Sequence, residues 1–224
     1  MGRQMAFDLP VRHARGREDF FVAPANALAL AALDTPDTWA AGRMLLIGPE
    51  GAGKTHLAAI WAEERNAELF DARALTDAAA ERLAATGAVV IEDAQHLGGA
   101  PEAEEAAFHL VNLIAAEGGL LLFTADCPPR DWQMRLPDLK SRLEATTAVH
   151  IAPPDDALLG AVLGKLFADR QLIVPPTLVS WLVPRMERSL GTARALVAAL
   201  DARALAERKP ITRTMAGEVL DSLR

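Results

Sequence analysis

The stretch GPEGAGKT, residues 48–55, constrains the chain more than any other feature of its sequence. It matches the phosphate-binding pattern G-x-x-x-x-G-K-[ST] at every defined position. An apolar run typical of a buried strand precedes it, and a stretch with helical character follows it, which is the context that the pattern requires. Its glycines let consecutive backbone N–H groups face one centre at the start of the helix. The sequence therefore predicts a polyphosphate site.

The residues of this loop have separate expected roles. The backbone forms the cradle, while Lys54 reaches the β- and γ-phosphates and the Thr55 hydroxyl binds Mg²⁺. The residues predicted to contact the cofactor here are Gly48, Pro49, Gly51, Ala52, Gly53, Lys54, Thr55 and His56. The alternative is a glycine-rich turn that binds no nucleotide.

Short, continuously apolar runs elsewhere predict further buried parallel strands. The strong candidates are residues 43–48, 88–93 and 119–125, and the weaker ones are 67–72 and 148–152. Helical segments separate them, at 56–66, 74–85 and 102–117. After Pro153 and Pro154 the pattern becomes helical, at 155–170, 176–186, 192–208 and 212–223. We therefore expect an α/β three-layer sandwich with a parallel sheet over residues 20–153, a small all-α lid domain over 154–224, and a tail over 1–19.

Composition and charge exclude several classes of protein. Half of the residues are apolar and the net charge is −7, which argues against a domain that grips DNA phosphates by itself. No apolar run reaches the roughly 18 residues that a membrane span needs, so we expect a cytoplasmic protein without a membrane partner. The single cysteine, Cys127, excludes an internal disulfide.

The acidic pair Glu92 and Asp93 ends the predicted strand VVIED. Ligands of open α/β sheets bind at the carboxyl ends of the strands. One of these carboxylates would hold Mg²⁺ while the other orients an attacking water molecule, so Asp93 is also a candidate catalytic residue. The alternative is a pair of acids that cap a helix after a strand.

Several segments together resemble the DnaA family of AAA+ ATPases, and within it the short regulatory Hda family. They extend from about residue 20 to the C-terminus and comprise DFFVAPANALALAAL, VVIEDAQHL, LLFTADCPPRDW, PDLKSRL and GTARALVAAL. The resemblance implies an AAA+ fold and several site residues. These are Phe21, Val22 and Asn26 near the base, Thr124 and Asp126 near the γ-phosphate, Arg142 as an arginine finger, and Arg194 as a sensor on the lid.

The sequence departs from the family pattern in two ways. The acidic pair has the order Glu-Asp, whereas the usual order is Asp-Glu, so we expect slow or conditional hydrolysis. In addition, no basic helix-turn-helix segment follows the lid, so we expect no direct sequence-specific DNA binding.

The resemblance implies a regulator of replication initiation. Such a protein would bind ADP or ATP with Mg²⁺, pair with DnaA, and supply Arg142 to promote hydrolysis of the ATP that DnaA holds. A helicase loader of the same superfamily and a small-molecule P-loop kinase are the alternatives. Assembly with further copies of this chain stays open.

The segment QMAFDLP near the N-terminus is similar to the peptides by which replication proteins bind the sliding clamp of DNA polymerase III. Gln4 would bind a polar edge of the clamp pocket, while Met5, Phe7 and Leu9 would enter apolar subsites. These three apolar side chains point to one side of an extended segment. The alternative is a latch that packs on the chain's own α/β domain.

Overall fold

The structure is a computed structural model that describes residues 21–223. The five strands are β1 (Arg43–Ile47), β2 (Glu68–Asp71), β3 (Ala88–Glu92), β4 (Leu120–Ala125) and β5 (Thr147–His150). The α-helices in the described range are α1 (Ala27–Asp34), α2 (Lys54–Arg65), α3 (Asp77–Ala84), α4 (Pro101–Glu117), α5 (Pro137–Glu144), α6 (Asp156–Asp169), α7 (Pro176–Leu182), α8 (Leu190–Glu207) and α9 (Arg213–Ser222). The proposed clamp-binding residues Gln4, Met5, Phe7 and Leu9 lie outside the described residues.

The strands form one parallel sheet in the order β2-β3-β4-β1-β5. The three runs with the strongest apolar signal, β1, β3 and β4, occupy the centre, where both faces are covered. The two weak candidates are the edge strands. Residues of β2 and β5 remain partly exposed, which explains their mixed composition.

Helices cover both faces of this sheet. On one face Leu45 and Ile47 pack in a core with residues of α3, α4 and α5. On the other face Met44 and Leu46 pack with α1 and α2, in a core that also contains the stacked rings of Trp39 and Trp61. The prediction of a three-layer α/β sandwich with a parallel sheet is confirmed.

Helices α6 to α9 form a bundle with a separate apolar core. Its fully buried members include Leu163, Leu182, Leu196 and Leu200. The four helices begin and end within a few residues of their predicted bounds. The division into domains at Pro153 and Pro154 stays a prediction. In residues 21–223, no helix combines the length and apolar character needed to cross a membrane.

The sequence analysis did not predict two of the helices. Helix α5 has only eight residues, and only Leu139 and Leu143 among them are buried, so its apolar periodicity is too short to recognise. Its start is marked by Pro137 at the first position, where proline is favoured. Helix α1 is also eight residues long and begins after Asn26.

Candidate nucleotide site

The loop between β1 and α2 has a backbone that depends on its glycines. Gly51 has φ of 74° and Gly53 has φ of 105°, both in the left-handed region that favours glycine. A Cβ on Gly48 would lie 2.6 Å from the backbone oxygen of Ile151, so that position has no room for a side chain. The loop therefore has the curled form that the sequence pattern predicts.

The side chain of Lys54 is buried at the start of α2 and is fully engaged within the site. Its Nζ donates hydrogen bonds to the carbonyl oxygens of Gly48 at 2.7 Å and Pro49 at 3.1 Å. It also donates to Oδ1 of Asp126 at 2.6 Å. A buried ammonium group requires such partners. The pair with Asp126 holds the lysine charge at the loop, where a phosphate oxygen would bind it.

Residues at the carboxyl ends of β3 and β4 meet beside this lysine. Gln95 accepts a hydrogen bond from the backbone N–H of Asp126 at 3.3 Å and donates one to its carboxylate at 3.4 Å. Thr124 is buried, and its hydroxyl accepts the backbone N–H of Asp93 at 3.1 Å. Thr124 thus fixes the turn that carries Asp93. The sequence analysis missed Gln95, which has no signal outside this geometry.

The two acidic residues of VVIED differ in position. Strand β3 ends at Glu92, and Asp93 follows it in the left-handed region with φ of 54°. The predicted strand therefore extended one residue too far. Asp93 lines the cleft above the loop, whereas Glu92 does not. Asp93 is therefore the acid of this pair that borders the cleft, and the roles of both carboxylates stay predictions.

The residues present fit a Mg²⁺-nucleotide. The curled loop, Lys54 and Thr55 suit the phosphates and the metal, and Asp93 offers a carboxylate from the facing strand end. No group of three or more His, Cys, Asp or Glu residues within 21–223 could hold a metal ion by itself. Oxygens of the nucleotide and of water would therefore have to complete the coordination of Mg²⁺.

A cleft of about 510 Å³ unites these groups. Its lining comprises Glu50, Gly51, Gly53, Lys54, Thr55, His56, Arg73, Asp93, Gln95, His96, Asp126, Leu190, Gly191 and Arg194. Of the predicted site residues, eight are brought together here. Those outside the lining are Phe21, Val22, Asn26, Gly48, Pro49, Ala52, Glu92, Thr124 and Arg142. The functional roles of all of them stay predictions.

The first turn of α8 closes one side of the cleft. The backbone N–H of Leu190 donates to the carbonyl of Gly51 at 2.8 Å. One turn further along, the guanidinium of Arg194 lies 3.2 Å from Nδ1 of His56 on α2. Arg194 of the helical bundle therefore borders the cleft, and its contact with a nucleotide stays a prediction.

The segment before α1 contacts the chain just after β5 and carries the residues predicted near the base. Asn26 is buried, and its amide donates to the carbonyl of Phe21 and accepts the N–H of Ala23, each at 2.9 Å. A backbone hydrogen bond of 3.1 Å joins Ala152 to Ala25. Asn26 thus fixes the conformation of this segment, and its contact with the base stays a prediction.

Arg142 lies outside the cleft, on the exposed side of α5. Its guanidinium lies over the ring of Phe108, 5.2 Å from the ring centroid. Arg142 is close enough to Arg43, the first residue of β1, for its positive charge to act on the Arg43 guanidinium. Burial lowers the pKa of the Arg43 guanidinium, and the positive charge of Arg142 lowers that pKa further.

The chain is similar to bacterial replication initiators. No protein-family model matches it. The chromosomal replication initiator protein DnaA of Caulobacter vibrioides is 32% identical over 170 residues, which are 66% of this chain and 35% of the relative. The chain thus spans about a third of the length of the curated relatives it matches.

Solved structures give the same relationship at the level of the fold. Domain III of DnaA from Thermotoga maritima has a TM-score of 0.78 at 17% identity, covering 96% of this chain and 98% of that one. AMPPCP-bound DnaA from Aquifex aeolicus has a TM-score of 0.67 at 17% identity, covering 85% and 66%. Together with the sheet order and the glycine loop, these likenesses show that residues 21–223 have the AAA+ fold, similar to that of domain III of DnaA.

Proposed function

We propose that this chain binds an adenine nucleotide with Mg²⁺ and regulates replication initiation by promoting hydrolysis of DnaA-bound ATP. The observation that carries the proposal is the separation of two cationic groups on one domain. Lys54 faces the chain's own cleft, whereas the exposed guanidinium of Arg142 lies outside it. One group suits a bound nucleotide and the other suits a neighbouring molecule.

The chemistry of the cleft supports nucleotide binding. A curled loop at a helix N-terminus presents N–H groups to phosphate oxygens. Lys54 adds a positive charge, and phosphate oxygens could replace the carbonyl and carboxylate oxygens that it now contacts. The similar DnaA from Aquifex aeolicus binds AMPPCP, an ATP analogue. When bound, Mg²⁺ would neutralise the phosphate charge, with Thr55 and Asp93 as its protein ligands.

The position of Arg142 supports action on a partner. Arg142 is close to Arg43 at the first position of β1, whereas the phosphate loop follows the last position, Ile47. Arg43 and Ile47 are four residues apart in β1, and at roughly 3.3 Å per residue the two ends of the strand are about 13 Å apart. An arginine at the far end of the strand suits the γ-phosphate of a nucleotide held by another subunit, where its charge would stabilise the transition state.

The sequence of the N-terminal tail supports action at the sliding clamp. The spacing of Gln4, Phe7 and Leu9 fits a peptide that binds the sliding clamp. Clamp binding would place the regulator on replicated DNA and would make the inactivation of DnaA depend on replication. No DNA-binding surface of its own is then required, in agreement with the net charge of −7.

The first experiment tests nucleotide binding through Lys54→Ala. This variant removes the charge that faces the phosphates, so calorimetry should show weaker binding of ADP and ATP. The thermal unfolding curve should show whether the fold survives. Equal ADP affinity in the variant and the parent would contradict the assignment of the site.

The second experiment tests Arg142→Ala against Arg130→Ala, another exposed arginine outside the cleft. Phosphate release from DnaA-ATP is measured with clamp-loaded DNA. We expect the Arg142 variant to bind ADP normally and to lose stimulation, because arginine fingers in GTPases contribute about 10³ to 10⁵ in rate. If it stimulates DnaA as well as the Arg130 variant does, the finger assignment is wrong.

A further inference from the structure

Besides Lys54 and Arg194, the cleft is lined by a third lysine or arginine side chain, that of Arg73. Arg73 has no role in the proposed function. It follows β2, and its guanidinium reaches into the cleft from the side of that strand. The Nη1 atom lies 3.4 Å from Oδ2 of Asp93 and 3.4 Å from Oδ2 of Asp71. The backbone N–H of Arg73 also donates to Asp71 at 2.8 Å. Asp71 thus fixes the turn after β2, and the side chain of Arg73 is directed to Asp93, the acid that borders the cleft.

His96 strengthens this arrangement. Its Nε2 lies 2.9 Å from Nη2 of Arg73, and its Nδ1 lies 3.0 Å from the carbonyl oxygen of Asp93. A guanidinium can only donate, so Nε2 accepts and Nδ1 carries the hydrogen that goes to the carbonyl. Arg73 and His96 therefore hold both the carboxylate and the backbone of Asp93.

The pair Arg73–Asp93 parallels the pair Lys54–Asp126 in the same cleft. In each pair a cation that could bind phosphate is held by a carboxylate from the end of a neighbouring strand. The side chains of Arg73 and Asp93 are each about half exposed, and ion pairs that contact water are weak. A ligand with more negative charge can therefore displace the carboxylate at little cost.

The strand order indicates which part of a nucleotide Arg73 would meet. The loop after β1 would hold the phosphate chain, and β4 and β3 separate β1 from β2. Arg73 thus approaches from the side opposite to the loop, beyond Asp93. The phosphate that extends furthest from the loop is the terminal one of a nucleoside triphosphate.

We propose that Arg73 is a triphosphate-selective residue of this chain's own site, which pairs with Asp93 in the structure and would bind the terminal phosphate of a nucleoside triphosphate. This inference rests on the proposed function, because it requires a nucleotide in the cleft. It differs from the role of Arg142, which acts on a partner. It makes the site distinguish a triphosphate from a diphosphate without hydrolysis.

Binding measurements test this inference. Calorimetry with ADP and with a non-hydrolysable ATP analogue, each in Mg²⁺, compares the parent with Arg73→Ala, Arg73→Lys and the control Arg65→Ala, an exposed arginine outside the cleft. We expect Arg73→Ala to lose about tenfold in affinity for the analogue, because a charge-assisted hydrogen bond contributes roughly that factor. Its ADP affinity should change less than about threefold. Arg73→Lys should keep part of the preference for the ATP analogue over ADP, and Arg65→Ala should keep all of that preference.

The outcomes separate this inference from the proposed function. If the parent binds neither nucleotide, the proposed function is wrong and the role of Arg73 is wrong with it. If the parent binds both and Arg73→Ala keeps the same ratio of affinities, only the role of Arg73 is wrong. Thermal unfolding of each variant is measured alongside, and Arg73→Lys preserves the charge should the alanine variant be unstable.

Discussion

A buried carboxylate supports the helix that carries Arg142, and its removal gives the sharpest test of this fold. Glu104 lies on α4 and is only 1% exposed. Its Oε1 accepts the backbone N–H of Gly99 at 2.9 Å, and its Oε2 accepts those of Arg135 at 2.8 Å and Leu136 at 2.7 Å. One side chain therefore ties the segment before α4 to the segment before α5.

The magnitude follows from these three hydrogen bonds. A hydrogen bond to a charged group contributes about 1.5–3 kcal/mol, and each donor left without a partner costs further free energy. Because water can reach some of the freed N–H groups, we expect Glu104→Ala to lower the free energy of unfolding by about 3–5 kcal/mol. Glu104→Gln should cost about 1.5–3 kcal/mol, since its amide oxygen keeps one acceptor site while its NH₂ group faces a donor. Either loss is a large share of the roughly 5–15 kcal/mol that stabilises a typical domain.

Urea unfolding, monitored by circular dichroism, measures these changes in the free energy of unfolding. They follow from the shift in the midpoint urea concentration when the slope of free energy against urea concentration is unchanged. The matched control is Glu105→Gln, because Glu105 is the next residue of α4 and is exposed. If the proposed function holds, the Glu104 variants should also promote hydrolysis of DnaA-bound ATP less than the parent does, because the start of α5 is no longer held although Arg142 is intact. If Glu104→Gln changes the unfolding free energy by less than about 0.5 kcal/mol, the reasoning fails.

Two further predictions concern a buried charge and the tail. Arg43 is 9% exposed, and its Nε has no hydrogen-bond partner within residues 21–223. A buried donor without a partner costs about 1–3 kcal/mol, so Arg43→Met should raise the free energy of unfolding by an amount of that order. A lower melting temperature would contradict this. Joint replacement of Gln4 and Phe7 by alanine should abolish binding to the sliding clamp and leave the melting temperature unchanged. Intact clamp binding with a lower melting temperature would instead show that the tail belongs to the fold.

Local signals in the sequence predicted much of this architecture. The central strands are apolar at consecutive positions because helices cover both faces, and β1, β3 and β4 accordingly had the clearest signal. The glycine loop was recognisable because its backbone conformation and its close contacts require glycine at fixed positions. The apolar runs and the left-handed glycines are local properties of the sequence, so they can be predicted without the fold. The close contacts of Gly48 with Ile151 and of Gly51 with Ser189 join distant segments and became visible only in the structure.

Contacts between distant segments could not be predicted in this way. Glu104 binds N–H groups 31 and 32 residues away, and Arg73 meets Asp93 and His96 at separations of 20 and 23 residues. An acidic residue on a helix and an arginine in a turn are most often solvated. Only the packing of α4 against α5, and of the ends of β2 and β3 against each other, gives these two residues their partners.

The contact between α8 and the phosphate loop couples the site to the helical bundle. Leu190 is the first residue of α8, so its N–H has no partner within the helix, and it donates instead to Gly51. Gly51 makes this approach possible, because a Cβ there would lie 2.0 Å from Oγ of Ser189. The N-termini of α2 and α8 therefore face the same cleft, and the partial positive charge of each favours an anion between them. The cleft therefore lies between the first turns of α2 and α8, and the hydrogen bond from Leu190 to Gly51 joins the phosphate loop to the helical bundle.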